Sequence, residues 1–390
     1  LTPTERDWVV VGSCPDDLLA QGYTAVGNSF PVFLHPDNKE EYALARTEKK
    51  TGPGYTGFEV HFAENVTLEQ DLQRRDLTIN AIARNREGDL VDPFHGHDDL
   101  NKRLLRHVSD AFGEDPVRIL RIARFTAQLG AFDFKIAPDT LLLLKDMVNN
   151  GEVDSLVPER VWKETSKALL SHYPERYFTS LRDCGALARL FPEVDRLFGV
   201  PQTATYHPEI DSGIHTMMAL QQATLLSDDL SVRFATLVHD LGKGATPKAI
   251  LPRHTEHEKR GMPLVEGLCD RLRVPTELRR LALKVTEHHL LYHRAFELRP
   301  KTLVKLLNQL DAYRKPQLFN QFILACEADS RGRTGFEHSD CEQSHYLRRV
   351  LATATKVNVK PLLDKGLQGL DIKHALDDSR RAAIAKEIAQ

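Results

Sequence analysis

Glu5-Arg6-Asp7-Trp8-Val9-Val10-Val11-Gly12 sets two carboxylates, one residue apart, at the head of a short apolar run closed by glycine. On a strand, residues two apart share a face. Phosphoryl and nucleotidyl transfer need carboxylates on adjacent strands to hold one or two divalent cations. The run at 8–11 therefore reads as a strand covered on both faces, with Glu5 and Asp7 as candidate metal acids. For so short a motif, solvated surface acids are the competing reading. Working outward, Pro31 to Pro36 and Glu41 to Arg46 read as two further strands joined by the turn-like Asp37-Asn38. Glu41 is positioned to supply a third acid. Thr47 to Gly57, with Lys49, Lys50, Gly52, Pro53 and Gly54, reads as a loop.

From about residue 101 the pattern turns helical. Val117–Leu129, Thr140–Met147, Pro158–Leu170, Leu230–Leu241, Leu278–Leu291 and Thr302–Leu310 space their apolar residues three and four apart. Phe198 to His207, followed by Pro208, reads as a linker between two helical regions. No internal repeat, heptad array or low-complexity tract interrupts the pattern.

Composition bounds the partners. With 52 Lys and Arg against 55 Asp and Glu the net charge is −3, so a polyanion must be held by local patches rather than by a global basic field. Nothing approaches the run of about 18 apolar residues that spans a membrane. The five cysteines (Cys14, Cys184, Cys269, Cys326, Cys341) lie far apart and form no CxxC pair, as expected of reduced thiols in a cytoplasmic protein. The chain opens on Leu1-Thr2-Pro3 with neither initiator Met nor signal-peptide pattern, as a fragment would. Many of its 17 histidines crowd between His207 and His293, which suggests metal ligation or proton transfer.

Four further motifs follow the acid pair in order. Arg74-Arg75-Asp76 precedes Leu77 to Ala83, with Asn80 inside it. Asp92-Pro93-Phe94-His95-Gly96 leads to Asp99-Leu100, Arg103 and Arg106. Glu114-Asp115-Pro116-Val117-Arg118 opens one helix and Glu159-Arg160-Val161-Trp162-Lys163-Glu164 another. In kind, order and spacing these resemble the acid-x-acid, RRD, DP-x-x-G-x-x-DL, EDxxR and ERVxxE motifs of the bacterial class II CCA-adding enzymes. The resemblance implies that Glu5, Asp7 and Glu41 serve Mg2+-dependent nucleotidyl transfer. It also implies that Arg75, Asp76, Asn80, Asp115, Arg118, Arg121, Arg124 and Arg160 handle CTP and ATP. Asp115 and Arg118, three apart, share a helical face and offer acceptors and donors suited to a base edge. Asp115 before Pro116 is equally a good helix cap. Arg121 and Arg124 alternatively pair with nearby acids, Arg75 and Asp76 alternatively form a salt-bridged helix start, and Arg160 with Glu164 reads best as an intrahelical ion pair. The family's first strand and GG-x-VRD segment, which should precede Glu5, are not in the sequence, and Glu5 stands where the family usually has Asp.

His239-Asp240-Leu241-Gly242-Lys243-Gly244 ends an amphipathic helix and offers a neutral and an anionic ligand from one turn. With His215 upstream and His257, His289 and Asp329 downstream, it resembles the HD phosphohydrolase superfamily. The resemblance implies that His215, His239, Asp240 and Asp329 hold a divalent transition metal, Ni2+ among the candidates. Lys243 would neutralise a phosphate oxygen, and His257 and His289 would take a second metal or the scissile phosphate. His254, His288 and His293 read as surface or outer residues.

Together these imply an α+β chain. A small polymerase-β-like nucleotidyltransferase head over 1–105 is followed by an all-α neck and body over 106–197 for templating and tRNA binding. An all-α HD domain over 208–335 and a helical tail over 336–390 complete it. The expected partners are tRNA, CTP and ATP with no membrane, in a monomer or homodimer. The expected activity is CCA addition coupled to phosphatase, 2′-nucleotidase and 2′,3′-cyclic phosphodiesterase repair. A phosphohydrolase with a degenerate head, a poly(A) polymerase relative and a non-catalytic tRNA binder are the alternatives.

Overall fold

The acid-bearing run forms β1 (Asp7–Val10), followed by α1 (Pro15–Ala20), β2 (Thr24–Val26), β3 (Val32–Leu34) and β4 (Glu41–Leu44). These assemble into a sheet of order β1-β4-β3-β2 in which β1 runs parallel to β4 and the other pairs are antiparallel. This computed structural model describes residues 6–27, 32–50 and 58–389, so Glu5 and the loop residues Gly52, Pro53 and Gly54 lie outside it. Leu18 of α1 buries against Phe33 and Leu44, with Val10, Tyr23, Tyr42 and Phe62 packed around them. Strand alternation places Asp7, Val9, Glu41 and Ala43 on the opposite face.

Two strand expectations change. Among the described residues β1 is an edge strand and is not covered on both faces: Trp8 is 37% exposed and Val11, just past its end, 46% exposed. Trp8 covers itself by stacking on Tyr42, with ring centroids 5.5 Å apart and planes 10° from parallel. The expected loop from Thr47 begins instead as β5 (Arg46–Lys50), paired antiparallel with β6 (Phe58–Phe62). The alternating Phe58-Glu59-Val60-His61-Phe62 carries that strand signal.

The first unit continues through α2 (Leu68–Gln73), capped reciprocally by Thr67 and Gln70. A single 3-10 turn at Thr78–Asn80 follows, then the two-residue strands β7 (Ala83–Arg84) and β8 (Leu90–Val91) and α3 (Gly96–Lys102). Beyond them, β9 (Leu104–Leu105) pairs with β10 (Lys135–Ile136) around α4 (Val117–Gln128), and α5 (Pro138–Asn149) follows. By contact density this unit comprises Leu1–Val157 with Asp183–Ala186, and the second comprises Pro158–Arg182 with Leu187–Gln390.

The second unit is helical. Its elements are α6 (Pro158–Leu169), α7 (Glu175–Asp183), α8 (Ala186–Leu190), α9 (Pro192–Asp195), α10 (Ser212–Leu226), α11 (Leu230–Val238), α12 (His257–Leu272), α13 (Thr276–His293), α14 (Pro300–Gln309), α15 (Pro316–Arg331), α16 (Glu342–Thr355), α17 (Lys360–Leu363) and α18 (Gly369–Ile388). α11 is its axis, packed by α10, α13 and α15. The amphipathic reading of α11 does not hold, because Val232 through Val238 are all buried. Arg233 survives there because its guanidinium donates to the main-chain carbonyls of Leu169, Ser171 and Ser227 at 2.8–2.9 Å. That satisfies acceptors at the end of α6 which the helix itself leaves unpaired. The five cysteines form no disulfide.

Candidate active sites

In the first unit the β1–β4 register makes Asp7 and Glu41 direct partners. Both are exposed at the start of their strands. Neighbouring strands stand about 4.8 Å apart, so two carboxylates face solvent side by side, a donor set that fits a hard cation such as Mg2+. The adjacent acid, Glu40, is turned to structure and accepts the Trp8 indole N–H at 2.9 Å.

The RRD motif is mostly internal. Arg74 pairs at 2.6 Å with the fully buried Asp71, which also accepts the main-chain N–H of Arg46 at 3.2 Å and so ties α2 to β5. Arg75 reaches Asp71 at 3.4 Å and donates to the Asn80 carbonyl at 3.3 Å. Asp76 accepts from the Leu77 N–H and the Asn80 amide on one oxygen and from Arg121 at 2.7 Å on the other. Burial would raise its pKa, but the charge of Arg121 and the Asn80 bond outweigh this and hold it below the ordinary value. Asp76 thus fixes Arg121 and Asn80, while Arg75 pairs with Asp71 and not with Asp76 as the salt-bridged reading of those two had it.

The DP-x-x-G-x-x-DL motif clamps that turn. Asp92 accepts the N–H groups of Gly96 and His97 at 2.7 and 2.8 Å and so opens α3. Asp99 accepts the Thr78 hydroxyl at 2.8 Å and pairs with Arg106. A Cβ at Gly96 would lie 2.1 Å from the Thr78 carbonyl oxygen, so only glycine allows the approach.

The cap reading of Asp115 has a contact behind it. Its carboxylate accepts the Val117 N–H at 3.0 Å, capping α4. Arg118 donates to the carbonyls of Ala111 and Arg74 at 2.8 and 2.6 Å, and this fixes its guanidinium beside the cap. Arg124 is buried, donates to Gln128 and lies 4.5 Å over the Phe125 ring. The basic stripe expected from Arg118, Arg121 and Arg124 is therefore three residues with three different sets of partners. Arg160 and the buried Glu164 lie one turn apart on α6, in the second unit.

The HD residues do converge. His215 from α10, His239 and Asp240 from the end of α11 and Asp329 from α15 are all buried. His215 Nε2 lies 3.0 Å from Asp329 Oδ1, and His239 Nε2 lies 3.1 Å from Asp240 Oδ2 and 3.5 Å from Asp329 Oδ1. His257 and His289 reach Asp240 Oδ1 at 3.1 and 3.6 Å. Despite this crowding, His239 Nε2 and both Asp240 carboxylate oxygens are buried without an aligned hydrogen-bond partner. Buried nitrogen and carboxylate ligands whose charged neighbours, Lys243 among them, do not align as hydrogen bonds are costly and fit a divalent cation. Burial lowers the proton affinity of His239, yet Asp240 and Asp329 outweigh it and hold its pKa up to about 10. Burial, with His257 beside it, drives His289 down to about 3. A cation would replace the His239 proton as the counter-charge of the two carboxylates.

Lys243 is buried, 2.6 Å from Asp240 Oδ2, and donates to Gln202. His254 bridges Thr246 and the Pro201 carbonyl, and His288 turns to Glu287 at 3.2 Å. His293, 30% exposed, stands behind the centre as an outer residue, its Nε2 2.7 Å from Asp329 Oδ2. Sequence reasoning missed His207, Glu209 and Gln202. All three fall in the proline-flanked segment read as a linker or just beyond it, where no periodicity marks an inward side chain.

Comparison with known proteins follows the same division. Residues 22–106 match the poly A polymerase head domain, 133–198 a probable RNA and SrmB-binding site of polymerase A, and 213–315 the HD domain. Among solved structures, one described as a complex of CCA-adding enzyme with ATP superposes with a TM-score of 0.65 at 20% identity, covering all of this chain and 84% of that one. The Thermotoga maritima CCA-adding enzyme complexed with tRNA gives 0.62 at 18%, over all of this chain and 87% of that one. Likeness at this level establishes a shared fold. A curated relative from Nitrosococcus oceani, the multifunctional CCA protein, is 58% identical over 384 residues, 98% of this chain and 94% of its own. With its nucleotidyltransferase head and HD domain, the chain belongs to the multifunctional CCA protein family.

Proposed function

We propose that this protein adds C, C and A to the 3′ end of tRNA from CTP and ATP, and that its HD centre removes phosphates from damaged tRNA ends. The carrying observation for transfer is the Asp7–Glu41 register, which sets two exposed acids on one face of the sheet. In each addition a 3′-oxygen–α-phosphorus bond forms, the α–β anhydride bond breaks and pyrophosphate leaves. Asp7 and Glu41 would hold Mg2+, which supplies charge stabilisation at the reacting phosphate. Glu5 would join them as the third acid. Arg75, Asn80, Arg121, Arg124 and Arg160 would contact or support the nucleotide, with Asp76 orienting Arg121 and Asn80. Asp115 and Arg118 would read the base edge. The head over 1–105 would carry transfer, 106–197 templating and tRNA binding, 208–335 hydrolysis, and 336–390 would form the tail.

For hydrolysis, His215, His239, Asp240 and Asp329 would hold a transition metal, with Ni2+ one candidate. That metal would lower the pKa of a bound water and polarise the phosphate. Lys243, 2.6 Å from Asp240, is the cation on hand for a phosphate oxygen. Cysteines outside any disulfide and a tRNA substrate favour a cytoplasmic location. No helix among the described residues is long and apolar enough to cross a membrane.

The test is to incubate the protein with tRNA lacking CCA, labelled CTP or ATP, and Mg2+, alongside a phosphatase substrate. Ordered addition of C, C and A is the expected result. A-tailing would favour a polyadenylating relative, and hydrolysis without incorporation a degenerate head. His239→Ala is expected to abolish hydrolysis while CCA addition persists.

A further inference from the structure

His215 differs from the other histidines of the HD centre in what holds its far ring nitrogen. The Nδ1 atoms of His239, His257 and His289 face main-chain carbonyls, of Thr236 at 2.7 Å, His254 at 2.9 Å and Val285 at 3.1 Å. His215 Nδ1 faces the Gly332 carbonyl at 3.1 Å and, in addition, a carboxylate: Glu209 Oε1, also at 3.1 Å. The same Glu209 oxygen lies 2.9 Å from His207 Nδ1, and its other oxygen accepts the Thr334 N–H at 3.4 Å. The Glu209 side chain is only 2% exposed, although it sits on an irregular surface segment.

The backbone is bent to place it there. Ile210, the next residue, has φ of +62°. A β-branched side chain in the left-handed region is a genuine outlier, and such strain clusters at functional sites. The conformation is fixed from both sides. Gln202 N–H donates to the Ile210 carbonyl at 2.6 Å, and Asp211 caps α10 by accepting the N–H groups of Gly213 and Ile214 at 2.8 and 2.9 Å. The turn folds Glu209 back onto the ring of His215, one helical turn into α10.

We propose that Glu209 is a positioning residue of the HD centre, holding the His215 Nδ1–H so that Nε2 presents its lone pair to a metal ion. A histidine ligand must be neutral at the metal-facing nitrogen, so its proton must sit on the other one. Two acceptors and no donor face Nδ1, so the proton stays there once a cation takes up the Asp329 carboxylate that stands 3.0 Å from Nε2. A carboxylate partner also makes the imidazole a stronger ligand than a carbonyl does. His207 shares the carboxylate and keeps it from turning out to solvent.

The proposal rests on the HD centre being a metal site, and the experiment separates the two. Full-length parent, Glu209→Ala, Glu209→Gln and the ligand variant His239→Ala are titrated with Ni2+ by calorimetry, with excess Mg2+ filling the oxygen-only acids of the head. Melting of each metal-free form is recorded. Glu209→Ala is expected to raise the Kd for Ni2+ about 10- to 100-fold. The isosteric Glu209→Gln, which keeps an acceptor but loses the charge, is expected to fall between Ala and parent. A Kd for Glu209→Ala within twofold of the parent overturns the proposal. If the alanine variant melts early, a Glu209→Gln Kd equal to the parent's overturns it instead. A parent that binds Ni2+ no better than His239→Ala overturns the metal-site reading, and the role of Glu209 with it.

Discussion

At the scale of single residues, Asp115 poses the sharpest question, because one carboxylate is offered for two jobs. It accepts the Val117 N–H at 3.0 Å and so caps α4, and it stands beside an Arg118 whose guanidinium is pinned by two carbonyls. An alanine at 115 removes cap and base reader together, so its effect on selectivity would be blurred by the loss of about 1 kcal/mol of stability. Asparagine separates them. It caps as well as aspartate but puts an amide N–H2 where one acceptor was, which mismatches the exocyclic amine that a cytosine or adenine edge presents. Asp115→Asn is expected to melt with the parent while its choice between CTP and ATP degrades about tenfold, the scale of one lost bidentate base contact. The check is paired melting and single-nucleotide incorporation kinetics. Unchanged selectivity would leave Asp115 as a cap and nothing more.

At the scale of elements, the turn after α11 is held against α12 by a glycine. A Cβ on Gly242 would lie 1.9 Å from the His257 carbonyl oxygen and 2.6 Å from the Gly261 nitrogen, all main chain and unable to step aside. Gly242→Ala must displace either the turn carrying Asp240 and Lys243 or the start of α12 carrying His257. Hydrolysis at the HD centre is expected to fall more than tenfold, since displacements of about 1 Å cost about a hundredfold in preorganised sites. Parallel phosphatase and CCA-addition assays check this, with transfer expected to persist. The same turn shows how far the sequence could be read. Three- and four-residue spacing located the helices, but the one expected to run to Leu241 stops at Val238, where His239 Nδ1 comes within 2.7 Å of the Thr236 carbonyl. His215, His239, Asp240 and Asp329 were legible because the His-Asp pair anchors a motif with known flanks. Glu209 was not, because the left-handed Ile210 brings it inward and no pattern of residue types announces such a turn. β5 and β6 were missed because glycine and lysine content outweighed the alternation at 58–62.

At the scale of the whole molecule, two acid-containing sites of different chemistry sit in separate compact units. One pairs exposed carboxylates on adjacent strands, oxygen donors open to water and suited to Mg2+. The other mixes buried imidazoles with buried carboxylates, and its His239 Nε2 and Asp240 oxygens lack aligned partners. Nitrogen donors raise affinity for later first-row metals well above that for Mg2+. The two activities should therefore separate by metal as cleanly as by mutation. After dialysis against a strong transition-metal chelator, returning Mg2+ alone is expected to restore CCA addition to the untreated level while hydrolysis stays low. Adding back stoichiometric Ni2+, with other divalent transition metals tried in parallel, is expected to recover hydrolysis and leave the rate of nucleotide addition unmoved. Joint recovery of both activities with Mg2+ alone would mean that the histidine cluster works with a hard ion. The unpaired His239 nitrogen would then have to be explained by a proton shared with Asp240.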